Sequence, residues 1–409
     1  MEEWKEYKLG EVCTELSDGL HKAPKFKFGG DYIFVNAKNI VNGFIVDNDT
    51  TKKSSYEEFL KYASPLNDTT ILYSIDGTIG NVALYRGEKC ILGKGACYLN
   101  PNPNVLDRLF LYYELQSPRF KGYIDRMSTG STIKHISLKT MRNYSFTFPS
   151  IKRQRQISSI LKSIDDKIEV NRRINDNLEQ QAQALFKSWF VDFEPFRDQP
   201  FVESELGMIP QGWRVGTLNE LGDIVGGSTP SKAKPEYYTN NGIAWLTPKD
   251  LSISQRKFTS KGEIDITEEG YDSCSTKLMP RGTVLFSSRA PIGYITIAKN
   301  NICTNQGFKS VIPTLAGTAF LYCFLKESTQ EIENKATGST FKEASGALMK
   351  SLTAIIPEKE VLDDFEIMLR PLFNQQEVVE EENFRLAQLR DTLLPRLMSG
   401  EIKVGDVTL

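Results

Sequence analysis

SIKRQRQISSILKSIDDKIEVNRRINDNLEQQAQALFKSWF, residues 150–190, decides the fold. Apolar residues return through it at helical spacing: Ile157, Ile160, Leu161, Ile164, Ile168, Ile174, Leu178, Ala182, Leu185, Phe186 and Trp189. Positions 157, 164, 171, 178 and 185 step by seven, one stripe of a long helix at coiled-coil spacing. At its usual rise per residue such a helix spans roughly 60 Å. A rod that long needs a pairing partner, and the chain carries a copy about 208 residues further on. There residues 358–398 place Phe365, Leu369, Leu372, Val379, Leu386, Leu389, Leu393, Leu394 and Leu397 on the same stripe. Asn171 and Gln376 fall on the two seams, where buried polar residues set register rather than add stability. Helix pairing is therefore expected through Ile157, Leu161, Ile164, Ile168, Leu178, Leu185, Leu372, Val379, Leu386 and Leu393.

Each rod is preceded by a copy of one domain, and such a repeat has to be settled before any local motif. WKEYKLGEV (4–12) matches WRVGTLNEL (213–221), and YIFVNAKNI (32–40) matches IAWLTPKDL (243–251). ILYSIDGTIGNVA (71–83) matches VLFSSRAPIGYIT (284–296), and FLYYEL (110–115) matches FLYCFL (320–325). STGSTIKHISLKTMRNYSFTFP (128–149) matches ATGSTFKEASGALMKSLTAIIP (336–357). Offsets stay between 208 and 213, while the sequence between the blocks diverges, so one scaffold carries two surfaces.

Runs such as DYIFVNA, TTILYSI and GTVLFSS, bounded by Gly, Asn, Asp and Pro, read as strands and turns. FLYYELQS and AFLYCFLKES read as buried helix. The class is α+β: two similar domains, each a mainly antiparallel sheet with a few helices. A tandem duplication favours a pseudo-two-fold axis, which turns the two long helices into an antiparallel coiled coil. Pro149-Ser150 stops the first domain and caps the first rod, and Pro195 follows its end. Pro371 predicts a kink near Arg370, Pro395 a bend or end, and Ser399-Gly400 the close. The domains are then 1–149 and 193–357, the helices 150–192 and 358–398, and the tail 399–409.

Composition excludes several classes. Hydrophobic residues are 40% and charged residues 25%, as in a globular protein. No apolar run approaches the roughly 18–20 residues of a membrane span, so no membrane partner is expected. The start, MEEWKEYKLG, is acidic and unlike a secretory signal. Six scattered cysteines without a C-x-x-C pair are expected to be reduced and mostly buried, in the cytoplasm, and to hold no metal. The net charge of −2 hides a division: residues 358–409 carry −6 and the rest +4, which permits a basic face. No phosphate loop of the G-x-x-x-x-G-K-[ST] kind exists, since GEKCILGKG (87–95) has one residue too many between its glycines and Gly95 where a hydroxyl belongs. No G-x-G-x-x-G opens a helix, and no N-P-P-[FY]-like segment marks a methyltransferase. Neither His21 nor His135 recurs in the other half, and the E-x-K spacings at Glu3 and Glu401 lack an acidic partner upstream. No catalytic, cofactor-binding or metal residue is assigned.

The candidates for nucleic-acid contact are basic or amide residues in loops. DGLHKAPKFKFGG (18–30) carries Lys22, Lys25 and Lys27, and GGSTPSKAKPEYY (226–238) carries Lys232 and Lys234. Lysines among Gly, Pro and aromatics suit a loop entering a groove, although they also suit a solvated loop. Asn36, Lys38 and Asn39, and Thr247 with Lys249, sit at strand ends where such side chains read base edges. Arg289, Asn305 and Gln306 have the same capacity. Ser131, Thr132 and Lys134, and Ser339, Thr340 and Lys342, form glycine-hydroxyl loops suited to phosphate oxygens or simply to a strand-to-helix turn. Lys152, Arg153 and Arg155 oppose the dipole of the first rod, which suits an anionic neighbour or equally a simply solvated cluster.

Three signatures carry a family resemblance: LEQQAQALFKSWFVDFEPF (178–196), LAQLRDTLLPRLMSGEIKV (386–404) and Gln211-Gly212-Trp213 opening the second domain. With the domain–helix–domain–helix order, they resemble the specificity subunit of type I restriction-modification systems. The resemblance implies two target-recognition domains, each reading one half of a bipartite, asymmetric sequence in double-stranded DNA. It implies that the helices set the spacer and dock two modification (methyltransferase) subunits, with Arg172, Arg173 and Lys187 on the outer face. It implies that S-adenosylmethionine enters with those subunits, and ATP with Mg²⁺ with restriction (translocase and nuclease) subunits, none of them held by this chain. It also implies that the two ends of the chain meet. The alternatives are a coiled-coil adaptor that binds only protein and a restriction-modification enzyme with an unrecognised active site.

Overall fold

The computed structural model describes residues 4–128, 135–254, 256–289, 291–338 and 342–407. The chain divides into two compact units: unit 1 is Met1–Ile168 with Arg385–Leu409, and unit 2 is Glu169–Phe384. The two rods are helices of 40 residues each, α1 (Ile151–Phe190) and α2 (Lys359–Met398). The division falls inside both helices, not at their ends as the sequence boundaries 149/150 and 357/358 suggest. The reason is packing. Ile157, Leu161, Ile164 and Ile168 of α1 and Leu393, Leu394, Leu397 and Met398 of α2 are buried in the core of unit 1. Ala182, Phe186 and Phe190 of α1 and Phe365, Leu369 and Phe373 of α2 are buried in the core of unit 2.

In unit 1 an antiparallel sheet runs in the order Cys13–Asp18, Ala96–Pro101, Ile71–Ser74, Val82–Leu84. The last three of these strands are buried on both faces, so in them period-two alternation sorts side chains between two cores rather than between core and water. Ile71, Tyr73, Val82, Leu84, Cys97 and Leu99 face the helices, while Leu72, Ala83, Ala96 and Tyr98 face the second layer. That layer is a three-stranded sheet in which Tyr32–Val35 runs parallel to Cys90–Leu92 and antiparallel to Lys53–Ser54. Lys5–Lys8 pairs with Ser145–Phe148 and leads the chain back to α1. The stretches around 4 and 400 meet within this unit. The Trp4 ring lies against Gly400, where a Cβ would fall 2.8 Å from it, and Ile402, Val404 and Val407 pack on the same core.

Unit 2 repeats the scheme. Gly222–Gly226, Lys309–Pro313, Val284–Ser288 and Ile292–Ala298 form the antiparallel sheet, extended by a parallel strand Phe258–Thr259. Trp245–Leu246 runs parallel to Cys303–Thr304, as in the second layer of unit 1. Arg214–Thr217 pairs with Thr353–Ile356.

The helices run antiparallel, and the expected polar seam residues are buried where they meet. In unit 2 Asn171 donates to Glu382 (2.7 Å) and to the Asn383 side chain (2.9 Å). Further along α1, Gln376 donates to the Asn175 carbonyl at 3.2 Å, and Phe190 stacks edge-on against Phe365. In unit 1 Arg390 donates to Asp165 at 2.9 Å. The strict heptad does not persist. Leu178, Leu185, Leu372 and Leu386 are half-buried, Ile174 and Leu389 are exposed, and the buried line in α1 shifts to Ala182, Phe186 and Phe190. An α-helix drifts about 20° per heptad against a 3.5-residue repeat, and a face packed on a domain is wider than a two-helix seam. Neither proline ends the helix, since α2 continues through both Pro371 and Pro395. A proline offers no N–H to the carbonyl four residues before it, here those of Ile367 and Asp391, and both residues are exposed.

All six cysteines are free, and Cys90, Cys97, Cys303 and Cys323 are buried. Burial pushes the Cys90 and Cys323 thiols up to about 12. Among the described residues, no helix is long and apolar enough to cross a membrane.

Candidate nucleic-acid interface

Six of the candidates meet in unit 2. Lys232, Thr247, Lys249, Arg289, Asn305 and Gln306 line one cleft of about 820 Å³, floored by Tyr238, Trp245 and Pro248. Four separate stretches supply them, and the backbone of the second layer brings them together. Asn305 N–H bonds the Leu246 carbonyl (3.0 Å), which ties the 305–307 turn to the end of the Trp245–Leu246 strand. Asp250 braces that end: its carboxylate accepts from the Thr247 amide (2.7 Å) and hydroxyl (2.6 Å), and from the Glu263 amide at 2.8 Å. Lys249 projects beside this brace and meets Glu263 at 2.9 Å, with both side chains 69% exposed. Such a solvated pair is readily exchanged for a phosphate.

Arg289 and Lys309 share one acid, Glu343, at 3.4 and 3.3 Å. The backbones of Arg289 and Glu343 also bridge, so the guanidinium is held at the cleft wall while still partly exposed. Asn305 Oδ1 accepts from the Gly307 amide at 2.8 Å, and Gln306 Oε1 accepts from the Thr229 hydroxyl. Both amides therefore turn their NH₂ groups away from these internal contacts. Donors of this kind match the acceptor-rich base edges and phosphates of a duplex. Lys234 is not part of the cleft. Its ammonium lies 4.9 Å from the Tyr237 ring centre and donates to the phenol at 2.9 Å, which holds it above its ordinary pKa.

Unit 1 has the same frame with other side chains. Gly93 N–H bonds the Val35 carbonyl (2.8 Å) as Asn305 bonds Leu246, so Lys94 stands where Gln306 does. Asp76 bridges His135 as Arg289 bridges Glu343. Lys94 and His135 each lie 4.0 Å from the Asp76 carboxylate. Asn36 and Lys38 stand at the neighbouring turn, and Lys38 donates to the Thr50 hydroxyl at 3.2 Å. Asn39 is corrected. It is 0% exposed, accepts from the Asn36 amide (3.1 Å) and donates to Val46 (3.1 Å) and Thr51 (2.8 Å). It corresponds to Asp250 and braces the turn, with no hydrogen-bonding capacity aimed at a base. Lys22, Lys25 and Lys27 are exposed along 18–30. Lys342 is exposed and donates to the Glu333 carbonyl at 3.3 Å, while Ser131, Thr132, Lys134, Ser339 and Thr340 lie outside the described residues.

The sequence reading missed Asp76, Lys94, Lys309 and Glu343. Carrying the repeat register through the 93–95 and 305–307 turns would have pointed to Lys94. It also missed a glycine of each copy, Gly19 and Gly227, 208 positions apart. A Cβ at Gly19 would sit 2.2 Å from the Leu92 oxygen, and one at Gly227 2.1 Å from the Asn305 oxygen. In both units only glycine lets the first loop approach the turn that carries the site.

The family model for the type I restriction modification DNA specificity domain matches residues 1–180 and 210–380, once over each copy of the duplication. The chain belongs to the type I restriction-modification DNA specificity family. The HindI specificity subunit of Haemophilus influenzae is 26% identical over 98% of this chain and 100% of its own length. The MjaIX specificity subunit of Methanocaldococcus jannaschii is 38% identical over 44% of each chain. The S subunit of a type I system from M. genitalium has the same fold, with a TM-score of 0.58, 18% identity and coverage of 97% of this chain and 96% of that one. As a type I specificity subunit, this chain recognises a DNA target, and each unit carries one copy of the candidate reading frame.

Proposed function

We propose that each unit reads one half of a bipartite, asymmetric DNA sequence and that the chain itself performs no catalysis. One observation carries this reading: the convergence of Lys232, Thr247, Lys249, Arg289, Asn305 and Gln306 on one cleft, at the place where unit 1 has Asn36, Asp76 and Lys94. Equivalent frames with different readers suit two unlike half-sites. The helix pair sets the spacer between them. Arg172, Arg173 and Lys187, all exposed on α1, dock two modification subunits, which bring S-adenosylmethionine. Restriction subunits with ATP and Mg²⁺ complete the assembly.

The test is a competition gel shift with the chain and its modification partner. The probe is a duplex carrying the sequence found by methylation mapping in cells that express the system. It should bind about a thousandfold or more tighter than scrambled duplex at physiological salt, and equal binding would sink the proposal. Inserting one heptad in α1 and its match in α2 should change the preferred spacer and leave both half-sites intact. An unchanged spacer would refute the role of the helices.

A further inference from the structure

The 18–30 loop of unit 1 holds an aromatic ring that lysine contacts to phosphate do not require. Phe28 is 105% exposed, more than any other large apolar side chain among the described residues. The turn beneath it is pinned. Phe26 bridges Ser54, the Lys27 amide bonds the Lys53 carbonyl (2.8 Å), and the Gly30 amide closes the turn on the Lys27 carbonyl at 3.1 Å. Gly29 takes φ +67°, and Gly30 passes so close to Ser54 that a Cβ would lie 2.5 Å from its oxygen. The Phe26 ring packs edge-on to Phe34 (5.5 Å), with the Lys52 ammonium 4.8 Å from its centre. Phe28 alone is presented bare, forgoing about 1.5–3 kcal/mol of burial. Lys22, Lys25 and Lys27 are exposed on the same loop.

A bare ring on a fixed turn among lysines matches one surface better than others: stacked bases flanked by phosphates. The corresponding loop of unit 2 covers its rings instead. Lys234 lies over Tyr237, and the Tyr238 hydroxyl donates to the Pro230 carbonyl at 2.7 Å.

We propose that Phe28 is a wedge: in the half-site read by unit 1 its ring enters a base step and stacks on the base it displaces, while Lys25 and Lys27 take the flanking phosphates. This rests on the DNA-recognition reading and adds specificity through deformability, favouring a flexible pyrimidine–purine step. Only the half-site of unit 1 is kinked in this way.

The experiment uses the full chain with its modification partner and the mapped duplex, with 2-aminopurine placed at successive adenines of the half-site. Wild type should raise the fluorescence several-fold at one step. Phe28→Ala should abolish that rise and weaken binding about ten- to a hundredfold, whereas Phe28→Trp should preserve both. An unchanged thermal melt for Phe28→Ala, expected for a side chain outside every core, keeps folding out of the comparison. Wild-type affinity and fluorescence in Phe28→Ala would overturn the wedge, as would weakened binding when wild type unstacks no base. A variant that binds DNA normally but assembles poorly with the modification subunit would overturn it in favour of a protein contact. Wild type without preference for the mapped duplex would overturn the underlying DNA reading instead.

Discussion

The two units share a backbone frame and differ in how each spends its charged groups. In unit 2 the acid of the helix pair is Glu179, which takes Lys257 at 2.8 Å, Lys326 and the Tyr322 hydroxyl. The Lys257 side chain is 6% exposed, bonds Gln376 at 2.7 Å and lies 3.5 Å from the Phe373 ring centre. Burial pushes the Glu179 carboxyl up, but the two lysines outweigh it and hold it down at about 2. Burial likewise pushes the Lys257 ammonium below its ordinary range despite the pull of Glu179. In unit 1 the acid is Asp165, which takes Arg390 and the hydroxyl of buried Tyr113, and the ion pair is within reach of solvent: Arg390 is 31% exposed and Asp165 26%. The deep acid of unit 1 lies elsewhere. Glu114 is 0% exposed and holds Arg119 at 3.0 and 2.7 Å with the Tyr144 hydroxyl, where the repeat in unit 2 has the apolar Phe324. A duplicated fold preserves hydrogen-bonded backbone and apolar volume. Where a charge is buried is settled separately in each copy by the partners within reach.

The largest expected effect tests this difference directly. Glu179→Gln leaves Lys257 buried without its counter-charge and should cost about 3–5 kcal/mol. Asp165→Asn, on a partly solvated pair, should cost about 1 kcal/mol or less. Denaturant unfolding followed by tryptophan fluorescence separates them, since Trp189, Trp213 and Trp245 belong to unit 2 and Trp4 to unit 1. Equal losses would break the comparison. The acid response should differ in sign as well. Glu179 is lowered by folding, so its stabilisation is full above the ordinary carboxyl range and is lost as pH falls toward about 2. Glu114 is raised by burial, so its contribution is present at low pH and fades as pH rises through its folded value. Acid titration of unit 2 fluorescence should therefore show a loss that Glu179→Gln removes.

Next in size are the paired glycines. Gly19→Ala and Gly227→Ala each drive a Cβ into backbone oxygen and should cost about 1–3 kcal/mol. Gly226→Ala, with nothing within 4 Å, should stay within about 0.5 kcal/mol. Thermal melts of the three variants check the ranking. Arg289→Ala should weaken target binding by about 1–3 kcal/mol and relax one base of the unit 2 half-site, leaving the other half unchanged in competition gel shifts. The smallest effect is expected of Lys249→Ala, which should lower affinity evenly across sequences and reduce the salt slope by about one.

Much of this was legible in the chain. The matched blocks fall on matched strands, and Asn171 and Gln376 are buried on the seam as their spacing implied. Lys232, read from a basic loop, Thr247 and Lys249, read from a strand end, and Arg289, Asn305 and Gln306, read from their side-chain type, all line one cleft. Asn39 is the exception, since an amide that braces its own turn has the same composition as one that reads a base. Lys94 and Asp76 escaped because the repeat pairs them with the unlike residues Gln306 and Arg289, in turns where the two copies diverge.

The sequence by itself determined the duplication, the two antiparallel helices and the mainly antiparallel sheets, because hydrophobic periodicity is local and each strand or helix carries its own. Only the tertiary structure decided that each long helix is shared between two cores, that Pro371 leaves α2 whole, and that Phe28 stands bare while Tyr237 is covered. Those outcomes depend on which distant surface each side chain meets, and a one-dimensional pattern does not encode that distance.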